Sequence, residues 1–333
     1  MWNAVCTAAA TQPFRELKQL GEFKSVTESP GDNNSVSSKL ISMSDAVVQI
    51  EDGHNLTFSG FAHSLAPIAL VHEIIRQGKK ELELTSMGEC WAADLLSGAG
   101  CLKRVRLSNY MFEGFGRCMN FSRAVQDGVV QAEDYSHFGI TSRFMAGALG
   151  LSYLPTKVMA GTDILNRITF DHDKYKISEC PFTGESYVLV RAVHPDIAFI
   201  HASRADEQGN VQLFGSSSII DEQARSAKKV IVTVEEIVDS EEIARLPELT
   251  VIPGFLVHAV VEAPFGAHPA GMYRYYNYDH KHVQEYWEKS RDPATFQEYL
   301  QEFVFSSKDH WDYLKKIGLR RLMALRADPL LGY

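Results

Sequence analysis

From Ser42 to Gly150 the chain alternates short apolar runs with helical patterns, one strand–helix pair about every 20–25 residues. That alternation admits few folds. Short strands joined through helices cannot pair as hairpins, so they lie parallel, and parallel sheets need cover on both faces. The pattern predicts an α/β fold: an open, mostly parallel sheet with helices on both faces. The spacing places helices over 42–50, 67–77, 90–97, 120–127 and 138–149, and strands over 56–58, 82–86 and 105–108. Asp52-Gly53 marks the first turn, and Gly78 and Gly128 stop the helices before them. Past Leu151 the regularity weakens. Turn signals at Gly161-Thr162-Asp163, Asp171-His172-Asp173 and Pro181-Phe182-Thr183-Gly184 read residues 156–190 as a β-rich insertion with long loops. Strands are expected again over 197–201, 211–214, 230–234 and 257–261, with helices over 219–227 and 241–245. Glu235-Glu236 is read as the start of the segment after a buried strand. An aromatic cluster, Tyr273, Tyr275, Tyr276 and Tyr278, then precedes long helices over 281–290, 293–304 and 308–325.

Residues 1–37 read differently. Gly31-Asp32-Asn33-Asn34-Ser35 is turn-rich and polar, so this stretch is expected to be a flexible N-terminal extension and residues 38–333 one domain with a helical C-terminal region. The extension lacks the apolar run of a secretory signal. With a formal net charge of −9 there is no basic stripe to neutralise phosphates, which argues against a nucleic-acid partner. No apolar run reaches transmembrane length, so no membrane partner is expected. Five cysteines, Cys6, Cys90, Cys101, Cys118 and Cys180, show no C-x-x-C spacing, and their number is odd. Free thiols in a reducing, cytoplasmic compartment follow, with the mitochondrial matrix as the alternative that the extension suggests. Asp171-His172-Asp173 and Asp279-His280-Lys281-His282 lack partner motifs; both read as polar loops, and no metal site is expected.

Several chemistries are excluded by missing signatures. The chain carries no G-x-S-x-G, no G-x-x-x-x-G-K-[ST] and no H-E-x-x-H. The loop after the first strand holds a single glycine, Gly60, where a dinucleotide fingerprint needs three. Open α/β sheets nonetheless meet ligands where strand ends become loops. The candidates are therefore Ser59, Gly60, Phe61, His63 and Ser64 after the first strand, Ser108 and Asn109 after the third, and His137 at the start of the small-residue helix. Gly60 lets the backbone approach a ligand, and N–H groups near Gly60-Phe61 are placed to stabilise an oxyanion. A tight turn at Ser59-Gly60 is the competing reading. His137 is placed to hydrogen-bond a carboxylate, though a lone histidine more often serves structure.

Several blocks carry a resemblance. They are Asp52-Gly53 with Ser59-Gly60-Phe61 and Pro67; Asp134-Tyr135-Ser136 with Ala148-Leu149-Gly150-Leu151 and Leu154-Pro155; Ile200-His201-Ala202; Ala263-Pro264 with Gly266-Ala267-His268-Pro269; and Val304-Phe305, Lys308-Asp309-His310, Tyr313-Leu314 and Leu331-Gly332-Tyr333. In this order the chain, over about residues 38–333, resembles the A (α) subunits of family I coenzyme A-transferases, those of the glutaconate CoA-transferases in particular. The resemblance implies the NagB-like form of the open sheet. It also implies a partner, the B (β) subunit, in a heterotetramer. Acyl-CoA and a carboxylic acid would be the substrates, with no permanently bound cofactor. In this family the acyl-CoA is attacked by a glutamate of the B subunit; an anhydride and then a glutamyl-CoA thioester form, and CoA passes to the acid. No catalytic residue is expected in this chain: Glu89, Glu113, Glu235, Glu236 and Glu262 all lie outside the acidic-glycine motif that carries the nucleophile. Two departures stand out. Ser59 replaces the first glycine of the family's pair, and Leu65 stands where relatives carry glycine or arginine, which weakens the case for a dicarboxylic substrate. Relatives on this scaffold that hydrolyse or decarboxylate CoA thioesters give one alternative. A non-catalytic, ligand-binding regulatory protein gives another.

Overall fold

The structure, a computed structural model, describes residues 37–328 and Leu331. The expected extension, residues 1–37, lies outside them but for Ser37. The first half alternates as its pattern requires: α1 (Met43–Val48), β1 (Asn55–Phe58), α2 (Ile68–Arg76), β2 (Leu82–Thr85), α3 (Trp91–Gly98) and β3 (Leu102–Leu107). A short hairpin, β4 (Met111–Phe112) and β5 (Gly116–Arg117), precedes α4 (Met119–Gln126), β6 (Gln131–Asp134) and α5 (His137–Ala148). The insertion supplies β7 (Tyr153–Thr156), β8 (Tyr175–Glu179) and β9 (Ser186–Arg191). The parent fold resumes with β10 (Ile197–Ala205), β11 (Val211–Gln212), α6 (Ile220–Ser226), β12 (Lys229–Ile237), α7 (Ser240–Arg245), β13 (Thr250–Ile252) and β14 (Ala259–Glu262).

Seven strands run parallel in the order β6-β3-β2-β1-β10-β12-β14; β11 pairs antiparallel with the far end of β10, and β13 pairs antiparallel with β11. Strand β10, IAFIHASRA, is buried along its whole length, so its apolar run takes the centre of the sheet. Glu235 and Glu236 lie within β12 rather than after it, because β12 outlasts its apolar run to stay paired with β10.

The insertion is a three-stranded antiparallel sheet, β7-β9-β8. A buried ion pair ties it to the parent sheet: Lys174 Nζ lies 2.7 Å from Glu133 Oε1 on β6, both fully buried. Glu133 Oε2 also accepts from the N–H groups of Thr169 and Phe170 at 2.7 and 3.1 Å. Asp171, read as part of a polar loop, is instead a largely buried hub. It accepts from Arg106 Nε at 3.0 Å, Arg143 Nη1 at 3.1 Å and the Tyr135 hydroxyl at 2.9 Å. The charges on β3 and α5 need a counterion on that face, and the loop supplies it.

The C-terminal region is α8 (His280–Ser290), α9 (Pro293–Tyr299), α10 (His310–Ile317) and α11 (Leu319–Leu325). The single helix expected over 308–325 is broken at Gly318, whose φ of +88° turns the chain between α10 and α11. The helix from Pro293 widens into a π turn over Leu300–Phe305 that still buries Leu300, Phe303 and Val304. Asp279 and His282, also read as a polar loop, are buried at the start of α8. Asp279 caps the helix through the N–H of His282 at 3.1 Å, and accepts from Arg321 Nη2 at 2.9 Å. It also lies 3.1 Å from His268 Nε2.

Around it sits a cluster of buried rings. His268 Nδ1 pairs with the Tyr313 hydroxyl at 2.6 Å, His282 Nε2 with the Tyr299 hydroxyl at 2.9 Å, and His310 Nε2 with the Pro264 carbonyl at 2.8 Å. His72 of α2 meets the edge of Tyr313 with 5.0 Å between ring centres. Burial holds all four histidines below their ordinary range, His310 at about 4.

Candidate functional site

The carboxyl ends of β1, β2, β3 and β6 release their loops side by side. Loop 59–66 follows β1. Its Phe61 and Ser64 exchange backbone hydrogen bonds at 3.1 Å, and the N–H of Leu65 reaches the Gly271 carbonyl at 3.1 Å. The loop interlocks with residues 86–89 after β2. The N–H of Ala62 donates to the Gly88 carbonyl at 3.3 Å, and a Cβ on Gly88 would fall 2.7 Å from the Phe61 ring. A side chain there would require the Phe61 ring to shift. Gly60, at φ +121°, lies against Glu89 in the same way: an added Cβ would stand 3.1 Å from Glu89 Cγ and from the Ser64 carbonyl oxygen. Ala62 and Leu65 also hold positive φ, +51° and +61°, so the loop keeps conformations that its side chains disfavour.

An open cavity of about 560 Å³ results, lined by Phe61, Ser64, Leu65, Met87, Tyr273 and residues of the segment after β11. That segment supplies Phe214, Gly215, Ser216 and Ser218. The walls are mainly apolar, with hydroxyls from three serines and Tyr273. No carboxylate is among these lining residues.

Of the residues read from the sequence, Phe61 and Ser64 line the cavity. Gly60 sits behind them, shaping the loop. The Ser59 side chain is buried: its hydroxyl donates to the Leu65 carbonyl at 2.7 Å and accepts from the N–H of His201 at 2.8 Å, stitching the loop to β10. The Phe61 N–H expected to face an oxyanion is engaged by Ser64. His63 does not line the cavity. It packs in an aromatic box, stacked on Tyr278 at 5.3 Å and edge-on to Phe115 at 5.5 Å, with Nε2 2.9 Å from the Glu113 carbonyl. Burial lowers its pKa. Ser108, Asn109 and His137 form a neighbouring group joined through Met87. The Ser108 hydroxyl bonds the Met87 carbonyl and His137 Nδ1, and the N–H of Asn109 donates to that carbonyl at 3.3 Å. His137 also meets the edge of Phe61 at 5.9 Å. Helix α5 starts there because Ser136 caps it through the N–H of Gly139.

Three contributors are not singled out by sequence reasoning. Glu89, beneath Gly60, accepts from the N–H groups of Trp91 and Ala92 at 2.7 and 2.9 Å, yet burial pushes its carboxyl up to about 8. Ser86 and Glu89, spaced as a capping pair before an apolar run, are the available signal. The 214–218 wall and Tyr273 converge from distant stretches; only the tyrosine cluster hints at one of them. A further carboxyl, Glu235, is closed on itself. It is held by His201 Nε2 at 2.7 Å, the Tyr276 hydroxyl at 2.5 Å and the N–H of Phe265 at 2.7 Å, and it is not among the residues that line the cavity.

Among the described residues, Cys90, Cys101, Cys118 and Cys180 are free thiols. No helix there is long and apolar enough to cross a membrane.

Comparison with known proteins matches residues 40–263 to the family model described as Coenzyme A transferase. The A subunit of glutaconate CoA-transferase from Acidaminococcus fermentans is 36% identical over 315 residues, spanning 89% of this chain and 97% of that one. The crystal structure of glutaconate coenzyme A-transferase from that organism superposes with a TM-score of 0.85 at 34% identity, covering 89% of this chain and 98% of that chain. The A subunit of 3-oxoadipate CoA-transferase from Pseudomonas knackmussii is 36% identical over 284 residues, 84% of this chain and 98% of its own. A crystal structure of a variant of the decarboxylase AibA/AibB matches with a TM-score of 0.69 at 31% identity, covering 80% of this chain and all of that one.

Proposed function

The chain belongs to the coenzyme A transferase family, and from that premise we propose that it is the A subunit of a heteromeric CoA-transferase. Its cavity forms one wall of an acyl-CoA site, and the nucleophilic glutamate comes from a B subunit, the two assembling into a heterotetramer. One observation carries this reading: an apolar cavity opens at the carboxyl edge of the parallel sheet, and none of its lining residues is a carboxylate. A covalent acyl exchange needs a nucleophile, and this wall offers only hydroxyls and packing. Relatives named as A subunits support a divided site. The chain's own work is then to bind and orient. Phe61, Leu65, Met87 and Phe214 exclude water from the acyl chain. The rigid interlock of loops 59–66 and 86–89 fixes where the thioester lies, and His137 and Ser108 stand beside it as hydrogen-bonding groups for a carboxylate.

Co-expression with the product of the adjacent gene tests this. The purified complex should move CoA from acetyl-CoA to an added carboxylic acid. The isolated chain should be inactive, and replacing the partner's glutamate by glutamine should abolish exchange. The likeness to AibA/AibB supports a second reading. Release of free CoA or CO2 without an acceptor acid would select a hydrolase or decarboxylase on this scaffold.

A further inference from the structure

Against two aromatic rings of the cavity wall one guanidinium is unmatched among the described residues. Residues 272–276 make a tight hairpin: the N–H of Met272 donates to the Tyr276 carbonyl and the N–H of Tyr276 to the Met272 carbonyl, both at 2.9 Å. Tyr273, Arg274 and Tyr275 form its tip. The tip is pinned on every side. Tyr275 stacks on Phe214 at 6.2 Å and its hydroxyl donates to Glu236. The Tyr276 hydroxyl donates to Glu235 at 2.5 Å. Tyr273 lies so close to Gly215 that an added Cβ there would fall 2.9 Å from its ring. Arg274 itself holds φ +70°, a left-handed conformation that is costly for a residue with a Cβ and persists only where the surroundings impose it.

The Arg274 guanidinium carbon stands 4.9 Å from the Phe214 ring centre and 5.9 Å from that of Tyr273. Both rings line the cavity beside the hydroxyls of Ser216 and Ser218. Arg204 also lies over Phe214, at 5.3 Å, but its charge is answered: Glu242 accepts from it at 2.6 Å and Gln212 at 2.9 Å. Arg274 has no ion pair and no hydrogen bond among the described residues. In a chain of formal net charge −9, an exposed cation is held by two aromatic rings that line an apolar cavity, without a carboxylate partner among the described residues. Stacking leaves the edge of a guanidinium, with its forked N–H donors, free to meet two oxygens of one anion.

We propose that Arg274 binds anionic oxygens of the substrate at the end remote from the reacting carbonyl. This rests on the reading of the cavity as an acyl-CoA site. Two parts of such a substrate carry that chemistry: the distal carboxylate of a dicarboxylic acid, and the phosphates of coenzyme A. The first would restore, from the 272–276 hairpin, a cation that Leu65 does not supply on the loop after β1.

The test uses the complex with the B subunit, comparing the natural protein with Arg274→Met, which keeps the stem and removes the charge, and Arg274→Lys. Binding is measured calorimetrically for glutarate against pentanoate, and for acetyl-CoA against acetyl-pantetheine, which lacks the phosphates. Losing a charge-assisted bond predicts a roughly 10- to 100-fold weaker affinity, with lysine retaining part of it. A loss confined to glutarate assigns the carboxylate; a loss confined to acetyl-CoA assigns the phosphates. All four affinities unchanged within about twofold would overturn the proposal. So would unchanged ligand affinity combined with weaker assembly of the complex. Should the complex transfer no CoA at all, the transferase reading fails by itself, while the binding comparison still decides the role of Arg274.

Discussion

Beneath α8 and α10 four histidines, His72, His268, His282 and His310, lie among Tyr299, Tyr313, Asp279 and Arg321. At the carboxyl edge of the sheet Phe61, Met87, Phe214 and Tyr273 line an open cavity, while His63, His137, Glu89 and Arg274 lie off its lining. Both regions are rich in rings and charges, and both bear family-like sequence blocks. They differ in burial. In the buried cluster the hydrogen bonds of His268, His282 and His310 end on another member or on backbone, and burial keeps the histidines neutral. At the cavity, loops with positive φ and glycine interlocks hold hydroxyls and a guanidinium open to a ligand. Residue type alone therefore does not separate the two, and neither does hydrogen-bond completion, since His72 Nε2, His282 Nδ1 and His310 Nδ1 are buried without a hydrogen-bond partner among the described residues; what differs is the open cavity beside one of the regions.

The largest expected effect breaks the buried cluster. Asp279→Ala removes the cap of α8 and leaves buried His268 and partly exposed Arg321 without their acceptor. Arg321 being a third exposed moderates the loss, so a destabilisation of about 3 kcal/mol is expected in chemical denaturation at pH 7. An undiminished denaturation midpoint would show that the cluster does not anchor the helices.

Buried histidines and buried carboxyls should also respond to pH with opposite signs. The four histidines have folded pKa values below the ordinary 6.5, set first by burial and for His72 next by Arg76. Their unfolded forms bind more protons, so the stability they allow is present above pH 6.5 and declines as pH falls towards about 4, where His310 titrates. Glu89 is the reverse. Its folded value, about 8, exceeds the ordinary 4.5, so its contribution is complete below 4.5 and is lost as pH rises through 8. Asp94, raised by burial to about 6, acts in the same direction at lower pH. Melting temperature against pH should therefore fall on both limbs. Glu89→Gln should flatten the alkaline limb and leave the acid limb alone; equal changes on both would contradict this division.

Much of the fold is legible because periodicity reports burial. β10 reads as a buried strand from its apolar run, and α2 as a helix from its spacing of Ile68, Val71, Ile74 and Ile75. What escapes has physical reasons. β6, QAED, carries no apolar signal; its one buried side chain, Glu133, is stabilised by Lys174 from the insertion. Asp171 and Asp279 look like loop residues until the arginines that hold them are brought near. At the site, the glycine-bearing loop after β1 is readable, since strand, glycine and helix are local. The opposite walls are not: residues 214–218 and Tyr273 meet Phe61 only through the tertiary fold. The inward turn of Ser59 depends on β10 lying beside β1, which no local pattern encodes.

The smallest stability effect should carry the sharpest contrast in activity. Gly60 at φ +121° occupies a region that side chains rarely enter, and a Cβ would press on Ala66 Cα and the Ser64 carbonyl at 3.1 Å, both backbone atoms that move only with the loop. Gly60→Ala should cost about 1–3 kcal/mol. Gly78 is also left-handed, at φ +66°, but a Cβ there meets nothing within 4 Å, so Gly78→Ala should cost only about 1 kcal/mol. Neither substitution removes a polar group. If loop 59–66 positions the acyl-CoA, the first should lower CoA transfer by the assembled complex far more than its stability loss explains, because a shift of about 1 Å in a positioning loop can reduce rate about a hundredfold. The second should leave transfer unchanged. Full activity of Gly60→Ala in a folded complex would mean that the loop after β1 is a structural turn, and that the binding surface lies with the hairpin and the 214–218 wall alone.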